Sequence, residues 1–152
     1  MASSAKVRVL RQVPVKGLER LILESQEEGF QFLVRMREEW RSASVRFDGP
    51  HEAVLVAKLG GEIVGVCGHT PDFREDDRNV GKVRRLYVSK RQRRRGIGTQ
   101  LLLQLYDVAK SHFRELRVRA PGPSACAFYE SLGFRKAGRR ESYTHYIDLT
   151  QV

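Results

Sequence analysis

The chain has 152 residues, which suits one compact domain with a buried core, and we expect a single domain over residues 1–152. No stretch approaches the roughly 20 consecutive apolar residues of a membrane span, and Met1 to Lys6 lacks the apolar core of a secretory signal, so we expect a soluble, cytoplasmic protein without a membrane partner. The formal net charge of +10 indicates attraction to an anionic partner, which composition alone does not identify.

The first part of the chain predicts one strand and two helices. Lys6 to Val13 alternates loosely between apolar and polar residues, as a half-buried strand does. Apolar residues between Gly17 and Ser42 recur at helical spacing, and Gly29 divides them into two short helices.

A hairpin and a fourth strand follow. Glu52–Leu59 and Glu62–Gly68 are apolar runs joined by Gly60 and Gly61, and glycine readily adopts the positive φ of a tight turn. The polar residues from Thr70 to Gly81 predict an exposed acidic loop, and Lys82–Ser89 predicts the next strand.

The second half predicts two helices and three strands. Gly96–Phe113 has apolar residues at helical intervals, and Ser124–Leu132 is a shorter helix that Gly133 ends. The three strands are predicted at Leu116–Ala120, Phe134–Ala137 and Tyr143–Leu149.

Metal binding has little support in the sequence. Cys67 and Cys126 are the only cysteines, they lie far apart, and they are interpreted as free thiols. The four histidines are scattered without the short paired spacing of zinc sites. We therefore predict no metal site.

Eight of the basic residues fall between Lys82 and Arg95, where a strand meets a helix through a glycine-containing loop. The first N–H groups of a helix lack acceptors and carry partial positive charge, and glycines allow phosphate oxygens to approach them. The loop therefore predicts a pyrophosphate site, although a solvated charged loop is the plainer alternative. It matches neither the P-loop nor the three-glycine dinucleotide motif.

Two segments carry a resemblance to a known family. Arg93-Arg94-Arg95-Gly96-Ile97-Gly98 matches the family pattern Gln/Arg-x-x-Gly-x-Gly/Ala, and it follows the strand Leu86-Tyr87-Val88. Ala125 to Phe134 matches the downstream pattern Ala-x-x-Phe-Tyr-x-x-x-Gly-Phe. In these segments and in the order of its elements, the chain resembles the GNAT N-acetyltransferases. The resemblance implies an α/β fold with a mixed, mostly antiparallel sheet of about six to seven strands, flanked by about four helices.

The resemblance also implies acetyl-CoA as the cofactor and a role for each matched position. Tyr129 corresponds to the acid that protonates the departing thiolate. Phe128 is counted among the cofactor-binding residues, although ordinary helix packing also accounts for it. Gly122 stands where relatives often carry an asparagine, so Ser124 is the candidate for the missing polar contact. The remaining expected cofactor-binding residues are Leu86, Tyr87, Val88, Arg93, Arg94, Arg95, Gly96, Ile97, Gly98 and Thr99.

The general base is the point where the chain departs from the family. Many relatives carry a glutamate at the start of the fourth strand, and this chain has Lys82. His69 is the candidate replacement, with Asp72, His145 and a water chain as alternatives. A hydrogen-bonded structural role for His69 is an equally good interpretation.

The acceptor is expected to be an amine of a small molecule, peptide or protein. Acidic residues fall in segments that the family fold places around the acceptor, which favours a cationic substrate; solvated surface charge is the alternative interpretation. These residues are Glu27, Glu28, Asp72, Glu75, Asp76, Asp77 and Glu141.

Two other functions and one assembly remain open at this stage. A basic nucleic-acid-binding domain fits the charge, but no aromatic residues interleave with the arginine run, so we rank it second. A non-catalytic acyl-CoA sensor of the same fold fits the absent glutamate. A homodimer is also left open.

Overall fold

The computed structural model describes residues 8–11, 17–139 and 141–152. Within this part of the chain four α-helices and seven strands are present, together with short 3-10 turns at Lys90–Gln92 and Leu149–Gln151. The helices are α1 (Glu19–Glu27), α2 (Phe32–Ser42), α3 (Ile97–Ala109) and α4 (Pro123–Ser131). The strands are β1 (Arg8–Arg11), β2 (Ala53–Leu59), β3 (Glu62–Pro71), β4 (Val80–Val88), β5 (Glu115–Val118), β6 (Arg135–Lys136) and β7 (His145–Asp148).

The strands form one sheet in the order β1-β2-β3-β4-β5-β7-β6. All neighbouring pairs among these strands are antiparallel except β4 and β5, which run parallel because α3 crosses over between them. This mixed, mostly antiparallel sheet with four helices confirms the expected fold class.

The sheet buries a different apolar cluster on each face. Strand side chains alternate between faces, so in β2 Leu55 and Ala57 point toward α3 while Val54 and Val56 point toward α1 and α2. On the α3 side, Leu101 and other fully buried residues of α3 make the larger core together with α4. The two helix layers therefore hold β4 between them.

Glycines act as predicted at the hairpin and at the end of α4. Gly60 and Gly61 have φ of +60° and +85°, the left-handed conformation that a tight β2–β3 turn requires. Gly133 has φ of +100° directly after the last residues of α4.

The ends of several elements differ from the sequence prediction. β3 continues to Pro71 and β4 begins at Val80, because Thr70 and Pro71 pair with Lys82 and Gly81 across the sheet. The predicted loop is thus shorter at both ends, and α3 stops at Ala109 rather than Phe113. Of the predicted first strand, Arg8–Arg11 is confirmed and its remaining residues lie outside the described ranges.

In the part of the chain that the structure describes, none of the helices has both the length and the apolar character needed to cross a bilayer.

Candidate functional site

The sheet opens beside β4. Only the first three residues of β4, Val80 to Lys82, pair with β5, and their partners are Glu115 to Arg117. From residue 83 to Val88 the β5-facing edge of β4 has no strand beside it among the described residues. Unpaired backbone N–H and C=O groups along such an edge can bind an extended ligand as an added strand would.

A bulge in β4 marks the middle of this opening. The β3–β4 register shifts between Val66 and Gly68, so Cys67 stands opposite an extra residue of β4. Arg85 has φ of +62°, which is unusual for a residue other than glycine. Bulges of this kind turn backbone groups out of the ladder and toward a ligand.

The amino terminus of α3 lies at the end of β4 and carries no side-chain cap. Gly96 precedes the helix with φ of +79°, and its carbonyl accepts the first helical hydrogen bond from Gln100 N at 3.0 Å. The N–H groups at the start of the helix therefore have no acceptor within α3. N–H groups of this kind can bind an anion, and here they lie at the end of the open β4 edge.

Gly96 and Gly98 serve the site for different reasons. A Cβ atom on Gly96 would meet nothing within 4 Å, so this glycine is needed for its positive φ. A Cβ atom on Gly98 would lie 3.3 Å from the ring of Phe128. Phe128 is half-buried and covers the first turn of α3, which brings two of the predicted cofactor residues together.

The three arginines of the loop have different environments. Arg93 Nη1 lies 2.9 Å from Glu28 Oε2, and Arg93 Nε donates to the carbonyl of Val88 at 3.0 Å. Arg95 is exposed and donates to the side chain of Gln92 at 3.2 Å. Arg94 is exposed, has φ of +66°, and pairs with no carboxylate of the described residues. Arg93 therefore anchors the loop, while the charge of Arg94 faces solvent.

Helix α1 holds this loop with two carboxylates. Glu24 accepts hydrogen bonds from Ser89 Oγ at 2.9 Å and from the backbone N–H of Lys90 at 2.8 Å. The hydroxyl of Tyr87 donates to both Glu24 and Glu28. Burial and these two hydrogen bonds raise the pKa of Tyr87, so its side chain stays neutral.

Tyr129 lies in the core beneath the opening. Its side chain is 4% exposed and packs on Phe128 and Phe134, with ring centroids 5.3 Å and 5.1 Å away. Burial, with Cys67 and Tyr106 nearby, raises the pKa of Tyr129 well above its usual value. Cys67 stands opposite the β4 bulge, and Tyr129 lies near Cys67 in the same apolar core. The Tyr129 hydroxyl has no hydrogen-bond partner among the described residues, and its raised pKa keeps it protonated.

Ser124 and His145 lie at opposite ends of α4. Ser124 is exposed in the first turn of the helix, which follows Gly122 and begins with Pro123. His145 is buried, and its Nε2 lies 2.8 Å from the carboxylate of Glu130 while its Nδ1 lies 2.9 Å from Thr144 Oγ1. His145 thereby ties β7 to α4.

His69 does not face the acceptor side of the sheet. Its ring is fully buried on the α3 face, packed edge-on against Phe113 with centroids 5.3 Å apart, and neither ring nitrogen has a hydrogen-bond partner among the described residues. Burial, with a contribution from His112, lowers the pKa of His69 to about 4. The neighbouring Thr70 points to the other face, toward α2. The structure therefore does not support His69 as the candidate base. It favours a buried structural role, without the hydrogen bonds to described residues that the sequence interpretation expected.

The acidic residues expected around the acceptor are mostly paired. Arg117 lies on the α1–α2 face and binds Glu75 and Glu115 at 2.9 Å and 2.6 Å, with Asp72 at 3.7 Å. Asp77 lies 3.9 Å from Arg114. These carboxylates are thus shared with arginines, which weakens the expectation of a cationic substrate.

Three glutamates organise the site; sequence reasoning missed Glu24 and Glu39 and assigned Glu28 to the acceptor. Glu24 and Glu28 of α1 hold the arginine loop, and Glu39 of α2 holds Arg84 and Arg85 of β4. Each contact joins residues more than 40 positions apart. Only the regular alternation of charge and apolar positions in α1 and α2 was visible in the sequence, and it does not reveal a partner.

The comparisons with known proteins agree with this geometry. The sequence pattern of the Acetyltransferase (GNAT) family matches residues 17–134, and the chain therefore belongs to this family. N-alpha-acetyltransferase RimI of Mycobacterium tuberculosis is 34% identical over 99 residues, which cover 62% of this chain and 59% of RimI.

Solved structures show the same architecture. A protein from Exiguobacterium sp. 255-15, described provisionally as an acetyltransferase, superposes with a TM-score of 0.84 over 95% of both chains at 28% identity. The GNAT family N-acetyltransferase YhbS of Escherichia coli, solved in complex with CoA, gives a TM-score of 0.70 at 16% identity, over 98% of this chain and 84% of that one. At this low identity, the comparison with YhbS shows only that the two proteins share a fold.

Proposed function

We propose that the protein transfers an acetyl group from acetyl-CoA to an amine of a small molecule or peptide. The main observation behind this proposal is that the open edge of β4 ends beside the amino terminus of α3, which has no side-chain cap. Membership of the GNAT family, the name of RimI and the CoA complex of YhbS support it.

The residues present fit the two ends of this cofactor. The N–H groups from Gly96 to Thr99, with Arg94 and Arg95, would hold the pyrophosphate, because helix termini and arginines both bind phosphate oxygens. The β4 edge from Leu86 to Val88 would hold the pantetheine arm through backbone hydrogen bonds. Phe128 would pack beside the arm, and Ser124 lies on the same helix.

Acetyl-CoA supplies a thioester whose carbonyl carbon an amine can attack. Backbone N–H groups at the β4 bulge would stabilise the negative charge on the thioester carbonyl oxygen as the N–C bond forms. The Tyr129 hydroxyl would donate its proton to the departing sulfur as the C–S bond breaks. The proton that the amine loses passes to solvent, from which Tyr129 is reprotonated.

The amine must be neutral to react, and no carboxylate stands at the family's base position. Lys82 occupies it, and Arg84 and Arg85 follow on the same strand. A positive environment lowers the pKa of a nearby ammonium group and so favours the neutral amine. The α-amine at the amino terminus of a peptide, with a pKa near about 8, needs less help than a lysine side chain at about 10.4. We therefore infer an α-amine acceptor.

An acetyl-CoA consumption screen tests the proposed function. The panel contains free amino acids, peptides with free amino termini, lysine side-chain amines and polyamines, and the released thiol is measured. We expect transfer to α-amines, with an acetylated product of the matching mass. Binding of acetyl-CoA without transfer to any amine would favour the sensor, and absence of binding would contradict the cofactor assignment.

A further inference from the structure

The acceptor side of β4 carries a cationic platform, which we define as Lys82, Arg84 and Arg85. Arg84 Nη2 and Arg85 Nη2 lie 2.9 Å and 2.6 Å from the two carboxylate oxygens of Glu39. The guanidinium groups are largely buried, with 12% and 13% of their side chains exposed. Two arginines thus share one carboxylate, and the Nε of Arg85 is buried without a partner in the described part of the chain.

Lys82 adds a third cation to this platform. It is half-buried and forms no ion pair with any carboxylate of the described residues. Burial, followed by the charge of Arg84, lowers the pKa of Lys82, and the charge of Asp72 opposes this shift. Asp72 is itself engaged by Arg117 at 3.7 Å and by the backbone N–H of Arg74 at 3.1 Å. The platform therefore holds excess positive charge.

The platform is next to the proposed reaction centre. Lys82 is the last residue of β4 that pairs with β5, so the strands separate immediately after it. Arg85 is the bulge residue itself, with φ of +62°. Thr70, on the same face, accepts a hydrogen bond from Arg84 at 3.3 Å. A group bound on the platform would lie beside an amine placed at the bulge.

We propose that the cationic platform binds a carboxylate of the acceptor, so that the substrate is an α-amine with a carboxylate nearby. This inference rests on the proposed function and names its substrate class. A free α-amino acid presents its own carboxylate, and a peptide presents one when its second residue is acidic. The two sources share the same chemistry, an α-amine and an anion a few bonds apart, and the platform's three cations supply both charge and hydrogen-bond donors.

Matched acceptor pairs test the proposal, because each pair differs by one carboxylate. Since the free carboxylate of leucine also raises the pKa of its own amine, kcat/KM is compared over a series of pH values. Leucine is compared with leucinamide, and Ala-Asp-Leu-amide with Ala-Asn-Leu-amide, at fixed acetyl-CoA concentration. We expect kcat/KM to fall roughly tenfold or more when the preferred acceptor loses its carboxylate, as charge-assisted hydrogen bonds are lost. A higher kcat/KM for leucine than for leucinamide identifies free amino acids as the acceptors. A higher kcat/KM for the Asp peptide than for the Asn peptide identifies peptides with an acidic second residue. Equal rates within both pairs would overturn the proposal.

Two variants assign the effect to the platform. Lys82→Met keeps the length of the half-buried side chain, and it should reduce the preference for the carboxylate. Lys82→Glu should reverse the preference. Lys136→Met, on an exposed edge strand, is the matched control and should leave the preference unchanged. An unaltered preference in a folded Lys82→Glu variant would also overturn the proposal.

Cofactor binding separates this proposal from the proposed function. The thermal shift caused by CoA alone is measured for the wild type and both Lys82 variants. A normal shift with no carboxylate preference contradicts only the platform proposal. Absence of any shift in the wild-type protein contradicts the acetyl-CoA assignment itself.

Discussion

The guanidinium of Arg93 is bound to the carboxylate of Glu28, 65 residues earlier in the chain, with Arg93 Nη1 2.9 Å from Oε2. The arginine loop is therefore tied to α1 by a residue that the family pattern places in the cofactor motif. Arg94, the next residue, faces solvent. Adjacent arginines in one motif thus have different roles.

We predict that Arg94→Gln weakens acetyl-CoA binding more than Arg93→Gln does. The charge of Arg94 is available to the pyrophosphate, whereas that of Arg93 is neutralised by Glu28, so the expected loss is roughly tenfold for Arg94 and smaller for Arg93. Arg93→Gln should instead lower thermal stability, because it leaves Glu28 without its partner. Calorimetric binding and melting curves measure both effects. Equal loss of affinity in the two variants would contradict this division of roles.

Gly98→Ala is expected to weaken acetyl-CoA binding through Phe128. The new Cβ atom would lie 3.3 Å from the Phe128 ring and displace it. Replacing the ring by leucine should relieve the contact, so the double variant Gly98→Ala/Phe128→Leu should bind better than the two single effects predict. Gly96→Ala is the contrast, because it has open space and loses only the favourable left-handed conformation, at about 1 kcal/mol. If the effects of Gly98→Ala and Phe128→Leu on acetyl-CoA affinity simply add in the double variant, the packing argument is contradicted.

Tyr129→Phe should separate binding from chemistry. Removal of one hydroxyl keeps the packing on Phe128 and Phe134, so acetyl-CoA affinity should be retained while turnover falls roughly a hundredfold or more. Tyr106→Phe is the matched control in the same core, since its hydroxyl already donates to Leu132 O at 3.1 Å. That control should lose stability and keep its turnover. Wild-type turnover in a folded Tyr129→Phe variant would assign the acid role to water or another group.

Acid should destabilise the protein through His69. The folded pKa of about 4 lies below the ordinary unfolded value of about 6.5, so the unfolded chain binds more protons between these values. The stability is complete above pH 6.5 and decreases as the pH falls through the window to 4, by about 3 kcal/mol in all.

The variant His69→Leu isolates this contribution from other titrating groups. Its free energy of unfolding, measured with urea at several pH values, should fall less steeply between pH 6.5 and 4 than that of the wild type. His51, His112 and Arg11 lie around the ring and remain in both proteins. Parallel pH profiles for the two proteins would contradict the burial of an uncharged His69.

Local patterns in the sequence were sufficient for most of the fold. Gly60 and Gly61 located the hairpin because only a few residue types tolerate positive φ, and the arginine-glycine segment located the start of α3. The extension of β3 to Pro71 was not predictable, because it depends on pairing with β4 rather than on local pattern.

The environment of each charge in the site was least predictable. Glu28 was assigned to the acceptor side, but the structure places its carboxylate on Arg93 and Tyr87. His69 and Lys82 are both polar residues on central strands, and only the alternation of strand faces, fixed by tertiary packing, places them on opposite sides of the sheet. Sequence identifies such residues but not the partners that determine their chemistry.

Amide hydrogen exchange with and without saturating acetyl-CoA tests the central claim most directly, because it reports where the cofactor binds independently of the acceptor. We predict slower exchange in two segments, the open β4 edge at residues 83–88 and the start of α3 at residues 96–99. The segment that follows the carboxyl end of α3, around His112, lies at the other end of that helix and should be unchanged. Protection confined to other segments, or no protection at all, would contradict the placement of acetyl-CoA in the opening beside β4.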